Sequence, residues 1–151
     1  MTPPNIPFIY RLWHLWLEPA AAINGSRYLW CLPETYHEYM PSTAAFSPKS
    51  KIIYDQLAAC YMLFAFNQAV TLRVVQDVYV WKVLLFGMAL CDAAHIYSIW
   101  AEMGANVFLS PGTWRSEDWV TVGTTAGPLI LRTAFVLGVG LANERKGKKE
   151  T

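Results

Sequence analysis

Charge is what this sequence has least of. Only 15% of its 151 residues are Asp, Glu, Lys or Arg, against 54% apolar and 15% aromatic, a balance that fits a membrane protein better than a soluble enzyme. The 12 basic and 11 acidic side chains leave a formal net charge of +1 and gather on no single face, which argues against nucleic acid as a partner. Cysteine is scarce too. Cys31, Cys60 and Cys91 are an odd set without metal-ligand spacing, and they read as buried small hydrophobes. No serine-nucleophile motif, glycine-rich phosphate loop, zinc spacing or haem signature is present, so neither a cofactor nor a metal is implied. The opening MTPPNIPFIYRLW has no basic region before its apolar part and no clear cleavage site, unlike a removable signal peptide.

Long apolar runs are what the chain does have. The central one, QDVYVWKVLLFGMALCDAAHIYSIWAEM at 76–103, exceeds the roughly 20 residues a helix needs to cross a bilayer. A soluble all-α protein would need polar faces about half a helix wide, and VLLFGMALC (83–91) and AFVLGVGLA (134–142) have none. The expected fold is all-α: one integral membrane four-helix bundle over 1–151, with spans near 7–31, 52–72, 76–103 and 118–142. Prolines and serines mark 32–51 as a loop. The short Arg73-Val74-Val75 link makes the second and third spans antiparallel neighbours. Asp77 reads as a cap or loop partner, and Ser116 as the cap of the last helix, with Glu117 and Asp118 in its first turn. The sequon Asn24-Gly25-Ser26 lies too near the bilayer to invite glycosylation.

The tail NERKGKKET at 143–151 is basic and follows directly on the last span. The positive-inside tendency places it in the cytosol, and an even number of spans places the N-terminus there as well. Its last four residues, Lys148-Lys149-Glu150-Thr151, match the di-lysine retrieval pattern of endoplasmic-reticulum membrane proteins. The expected location is therefore the endoplasmic-reticulum membrane, multi-pass.

Ionisable groups inside such spans are costly, about 2.5–3.5 kcal/mol each at the centre, and usually face a bundle interior or a wet cavity. Met88, Asp92, His95, Ile99 and Glu102 share one helical stripe. Arg11, His14 and Glu18 share another in the first span, with Pro19 just beyond, and Gln56, Cys60 and Asn67 lie close together on the second. Depth arithmetic at 1.5 Å per residue sets Glu18 about 16 Å from the cytosolic side and Arg132 about 18 Å from the luminal side. They are level with each other and form a candidate ion pair. Asp92 and His95, about 24 and 28 Å from the cytosolic start of their span, would form a second polar layer facing Trp114, Asp118 and Trp119. Two layers suggest a cavity open toward one leaflet.

Such a cavity suits acid–base chemistry on an oily molecule. A carboxyl desolvated among aromatics can keep its proton near neutral pH and pass it to an epoxide oxygen or an olefin, while aromatic faces stabilise developing positive charge. A second carboxylate or His95 would take a proton from water, hydroxyl or carbon. Each group also has a structural reading: Glu18 with Arg132 as an ion pair, Asp92 with His95 as mutually satisfied partners, Asp118 as a first-turn acid, and the aromatics as anchors and core.

IYRLWHLWLEP, LRVVQDVYVW, LCDAAHIYSIW and WRSEDWVTVG, with Arg132 in the last span, together resemble a family of short fungal four-span membrane proteins. That family is similar to the EXPERA domain of emopamil-binding-type sterol isomerases. One branch comprises the small hydrolase-cyclases of polyene α-pyrone mycotoxin pathways. The resemblance implies cofactor-independent opening of epoxides by water or an internal hydroxyl. Glu18, Asp77, Asp92, His95, Trp114, Asp118 and Arg132 occupy polar positions of the family pattern, whereas the glycine and asparagine that follow its Asp-Trp pair are Val120 and Thr121 here. The expected catalytic residues are Asp92, His95 and Glu18. The expected substrate contacts are Tyr97, Trp114, Asp118, Trp119, Asn67 and Arg132. Expected partners are a lipophilic small molecule and membrane lipid, with a homodimer left open. The competing readings are an olefin isomerase or terpene cyclase, a non-enzymatic sterol or lipid receptor on the same scaffold, and a structural subunit.

Overall fold

In the computed structural model, which describes residues 6–141, the chain is all-α, with no strand among the described residues. Four long helical rods carry it. The first, α1 (8–31), is continuous but changes pitch: α-helical Phe8–Leu12, a wider π-helical turn at Trp13–Leu17, then α-helical Glu18–Cys31. A short α2 (Pro33–His37) follows, and the next rod, α3 (51–74), repeats the device with a π-helical turn at Asn67–Thr71. The third rod is α4 (Val78–Met103); after the four-residue α5 (Ala105–Phe108) comes α6 (Ser116–Val136). The tail, with its basic residues and di-lysine pattern, lies outside the described residues.

Local chemistry sets the boundaries. Asp77 caps α4, its carboxylate accepting the Tyr79 N–H at 2.7 Å. Gly104 ends α4 with φ 77°, a backbone conformation that favours glycine. The start of α6 differs from expectation. Arg115, not Ser116, is its cap residue: the Asp118 carboxylate accepts the Arg115 backbone N–H at 3.0 Å and also holds the Arg115 guanidinium. Glu117 also lies in that first turn, where hydrogen bonds from backbone N–H and the Ser116 hydroxyl hold its carboxyl below the usual range. The rod ends at Val136 rather than near 142, because the chain turns over Gly138 and Gly140, both at positive φ.

The rods pack as two antiparallel hairpins, α1 along α3 and α4 along α6. Close approach of α1 and α3 depends on small residues. The Ser26 hydroxyl donates to the Ala58 carbonyl at 3.1 Å, and a Cβ at Gly25 would lie 2.8 Å from the Tyr61 ring. Ser26 is buried in this contact, whereas Asn24 of the sequon is exposed. The four rods meet around Ile6, Tyr10, Leu15, Leu72, Trp81, Leu85, Met88 and Phe135, all in the half of the bundle nearest the start of α1 and the end of α6. The Tyr10 hydroxyl donates across it to the Val139 carbonyl at 3.0 Å, and its ring meets Phe135 edge-on. At the opposite end the 38–50 segment lies over α4 and α6: Thr43 donates to the Glu102 carbonyl, Thr121 to that of Tyr39, and Arg115 to that of Met40.

Two helices, Pro48–Val74 and Val78–Met103, are long and apolar enough to cross a membrane. Only 22% and 28% of their most apolar stretches are buried within the protein, unlike the largely buried core helix of a soluble domain. Outward-facing Ile52, Ile53, Phe66, Val83, Phe86 and Leu90 form apolar surface of the kind water disfavours. These features support a membrane-associated location.

Candidate functional site

The polar side chains of the rods converge on one buried cluster. Arg132 of α6 is at its centre. Its Nη2 donates to Glu18 Oε1 at 2.5 Å, and its Nη1 donates to Asp92 Oδ2 and, more weakly, to the Met88 carbonyl at 3.4 Å. Glu18 Oε2 also accepts from His14 Nδ1 at 2.8 Å and from the Gln68 side-chain amide. His14, Gln68 and Arg132 are essentially sealed, and Glu18 and Asp92 are buried.

The level pairing of Glu18 with Arg132 is as the depth arithmetic requires. The two separate polar layers are not found: the long Arg132 side chain reaches both carboxylates, so Asp92 joins the Glu18 layer instead of forming its own. Two carboxylates face one guanidinium. Buried charge is tolerable only with such pairing.

The backbone is shaped around the cluster. His14 lies in the π-helical turn of α1, Glu18 is the first residue after it, and Gln68 lies in the π-helical turn of α3. Wider turns of this kind re-aim side chains and concentrate at functional sites. Pro19 has no N–H to offer the Leu15 carbonyl. Arg73 supplies the missing donor, its Nη2 reaching Leu15 O and its Nη1 reaching Ala69 O, each at 2.6 Å, while its guanidinium stacks over Trp16 at 4.4 Å.

The two carboxylates differ in how much of their capacity is spent. Both oxygens of Glu18 are committed, to three partners on three rods. Asp92 gives one oxygen to Arg132 and makes no second hydrogen bond among the described residues. Its side chain keeps 12% of its surface. Along the stripe of α4, exposure grows away from the packed end: Met88 and Asp92 are buried, His95 and Ile99 half-buried, Glu102 exposed. His95 lies one turn beyond Asp92, with Nδ1 4.0 Å from Cys91 Sγ. His14 Nε2, Gln68 Oε1 and Arg132 Nε are buried without a partner among the described residues, which leaves the cluster with unspent hydrogen-bonding capacity.

Other expected site residues lie elsewhere. Tyr97 is 64% exposed on the outer face of α4, its ring against Trp100. Trp114 and Trp119 contact each other at 4.8 Å near the start of α6, where Trp119 is exposed and Asp118 is occupied by Arg115. Asn67 is half-buried beside Gln68 but makes no side-chain bond to the cluster. The face drawn through Gln56, Cys60 and Asn67 is not the inner one: Gln56 and Cys60 are exposed, and the buried stripe of α3 is Ala58, Ala65, Gln68 and Leu72. Cys31 is exposed too and Cys91 half-buried, so the cysteines are not core hydrophobes. Gln68 was legible as the one polar residue spaced with Ala58, Ala65 and Leu72. Among the described residues no group of three or more His, Cys, Asp or Glu could hold a metal ion.

Fold and site define a membrane-associated, all-α protein with a charged cluster at its centre. Its sequence belongs to the family described as domain of unknown function DUF7704, which matches residues 4–142. No curated protein and no solved structure matches the chain.

Proposed function

We propose that this protein is a membrane-embedded acid–base enzyme, without a cofactor, that opens epoxides on a lipophilic substrate to give diols or cyclic ethers. The observation that carries this reading is the asymmetry of the cluster. Asp92 is fixed through one oxygen and has the other without a partner among the described residues, one turn from His95 and with part of its side chain still exposed. A carboxylate held by an arginine in an apolar setting is positioned to take a proton from water or from a substrate hydroxyl. Glu18, with every oxygen engaged, acts through Arg132 as a positioning residue rather than touching substrate. His95 would relay the proton.

All four rods cross the membrane in this reading, as in an EXPERA-like bundle of the endoplasmic reticulum, and the oily substrate enters from lipid. What supports it is outward apolar surface on the two remaining rods as well: Phe8, Trp16 and Ile23 on α1, Ile130 and Leu137 near α6. Reporter fusions placing the two termini on opposite faces would exclude it.

Asp92→Asn tests the chemistry. The amide keeps a bond to Arg132, and one carboxylate then faces one guanidinium, so the fold should survive. Turnover of an epoxidised polyene or isoprenoid should fall by about 10²–10⁴-fold, measured by mass analysis for an added water or an isomeric ring. Turnover within a few-fold of the parent would remove Asp92 from the mechanism. Turnover absent in the parent, with affinity for the same lipid retained, would leave a binding protein on this scaffold.

A further inference from the structure

A second set of polar atoms lies inside the bundle. Tyr36 of α2 and Tyr61 of α3 bring their hydroxyls to 2.8 Å, with the rings edge-to-face at 6.5 Å. Hydrogen counting shows what this leaves. Two phenols have two O–H donors and their mutual bond uses one. Neither hydroxyl makes another bond among the described residues, so one phenolic hydrogen is unspent in a partly buried place.

The surroundings of the two phenols differ. Tyr61 is within electrostatic reach of Asp92 and Cys91 on the facing rod, whereas Tyr36 is beside Tyr61 and Tyr54. Either hydroxyl can be the donor in their mutual bond; when Tyr36 donates, the unspent hydrogen is on Tyr61, the member within reach of α4. Burial pushes the Tyr36 phenol well above its ordinary range. The ring of Tyr61 occupies the space that a side chain at position 25 would fill: a Cβ on Gly25 would come within 2.8 Å and 2.9 Å of two ring carbons.

Resting on the acid–base reading above, we propose that the Tyr36–Tyr61 pair holds the oxygen of a lipophilic ether, epoxide or carbonyl substrate and supplies its proton, across the bundle interior from Asp92. In epoxide opening, the oxygen of water or of a substrate hydroxyl forms the new C–O bond and passes its proton to Asp92 Oδ1. The epoxide C–O bond breaks, its electron pair stays on the epoxide oxygen, and that oxygen takes the Tyr61 proton. The proton on Asp92 then returns to the tyrosinate through water. Nothing is oxidised or reduced, and the sum is addition of one O–H across one C–O bond.

The test separates donor from base. Purified protein in lipid nanodiscs is titrated with dodecyl phenyl sulfoxide, a strong acceptor with no donor and no leaving group. Turnover of squalene 2,3-epoxide in ¹⁸O-water is followed in parallel. Loss of one hydrogen bond corresponds to a rise in Kd of about tenfold, expected for Tyr61→Phe. Tyr36→Phe, which removes only the polarising neighbour, should raise Kd by about threefold. Gly25→Ala keeps both hydroxyls but displaces the ring, so it should resemble Tyr61→Phe; it carries the test if Tyr61→Phe does not fold. Asp92→Asn should bind the sulfoxide as the parent does while losing turnover. Sulfoxide binding that ignores Tyr61→Phe and Gly25→Ala, in a protein that still opens the epoxide, overturns the tyrosine proposal and leaves the acid–base reading standing. Sulfoxide binding lost in those variants, in a parent that opens no epoxide, supports the tyrosine site and overturns the acid–base reading.

Discussion

The two halves of the bundle on either side of Arg132 are built to different rules. Toward the chain ends, all four rods meet around Trp81, Phe135, Leu72 and Leu85, each at most 1% exposed. Toward the 38–50 segment, Leu29 and Ala58 seal the contact of α1 with α3, but Tyr36, Tyr61, His95 and Ile99 are only half-buried. The same helices run through both halves, so secondary structure does not make the difference. Enclosure does: Trp81, Phe135, Leu72 and Leu85 are sealed, while Tyr61, His95 and Ile99 keep part of their surface. The charged cluster lies on the boundary between the two.

Breaking the boundary should have the largest effect. Arg132→Met strands two buried carboxylates and should cost about 3–5 kcal/mol, read as loss of the folded fraction in detergent unfolding. Replacing Glu18, Asp92 and Arg132 together by Gln, Asn and Met should recover much of that loss and leave no activity. Failure of the triple variant to recover would mean that the cluster's hydrogen bonds, not its charge balance, hold the boundary.

Truncation compares the halves directly. Phe135→Ala, in the packed half, should cost about 3–5 kcal/mol, whereas Ile99→Ala should cost less than about 1.5 kcal/mol because its side chain is only partly enclosed. Equal losses in the same unfolding assay would contradict the division. A smaller effect is expected of Arg73→Met. It uncovers the Leu15 and Ala69 carbonyls, at about 1–3 kcal/mol, and should show as faster amide exchange around the two π-helical turns.

Several features of the site were legible in the residues. The spacing of His14 with Glu18 and the matched depths of Glu18 and Arg132 brought those groups together, and Asp77 was readable as a cap from its place before an apolar run. Gln68 could have been found from its spacing with Ala58, Ala65 and Leu72, yet Asn67 looked equally eligible, because a uniformly apolar rod does not announce its inner face. The joining of Asp92 to Glu18 was beyond reach. Depth counted along a helix axis ignores how far an arginine side chain extends, and that extension merged two expected layers. The Tyr36–Tyr61 pair was also hidden, since 25 residues and a change of chain direction separate its members.

Composition and hydrophobic run length by themselves determined an all-α chain, the approximate limits of its rods and the fact that their few charges had to find one another. Those properties are local: each follows from a helix that must satisfy its own backbone and cannot leave a buried ion unpaired. Only tertiary structure decided that Arg132 bridges both carboxylates, that Glu18 is saturated while one oxygen of Asp92 has no partner among the described residues, and that Tyr61 packs against Gly25. Those are relations between rods, fixed by packing contacts distant in sequence, and no single helix encodes them.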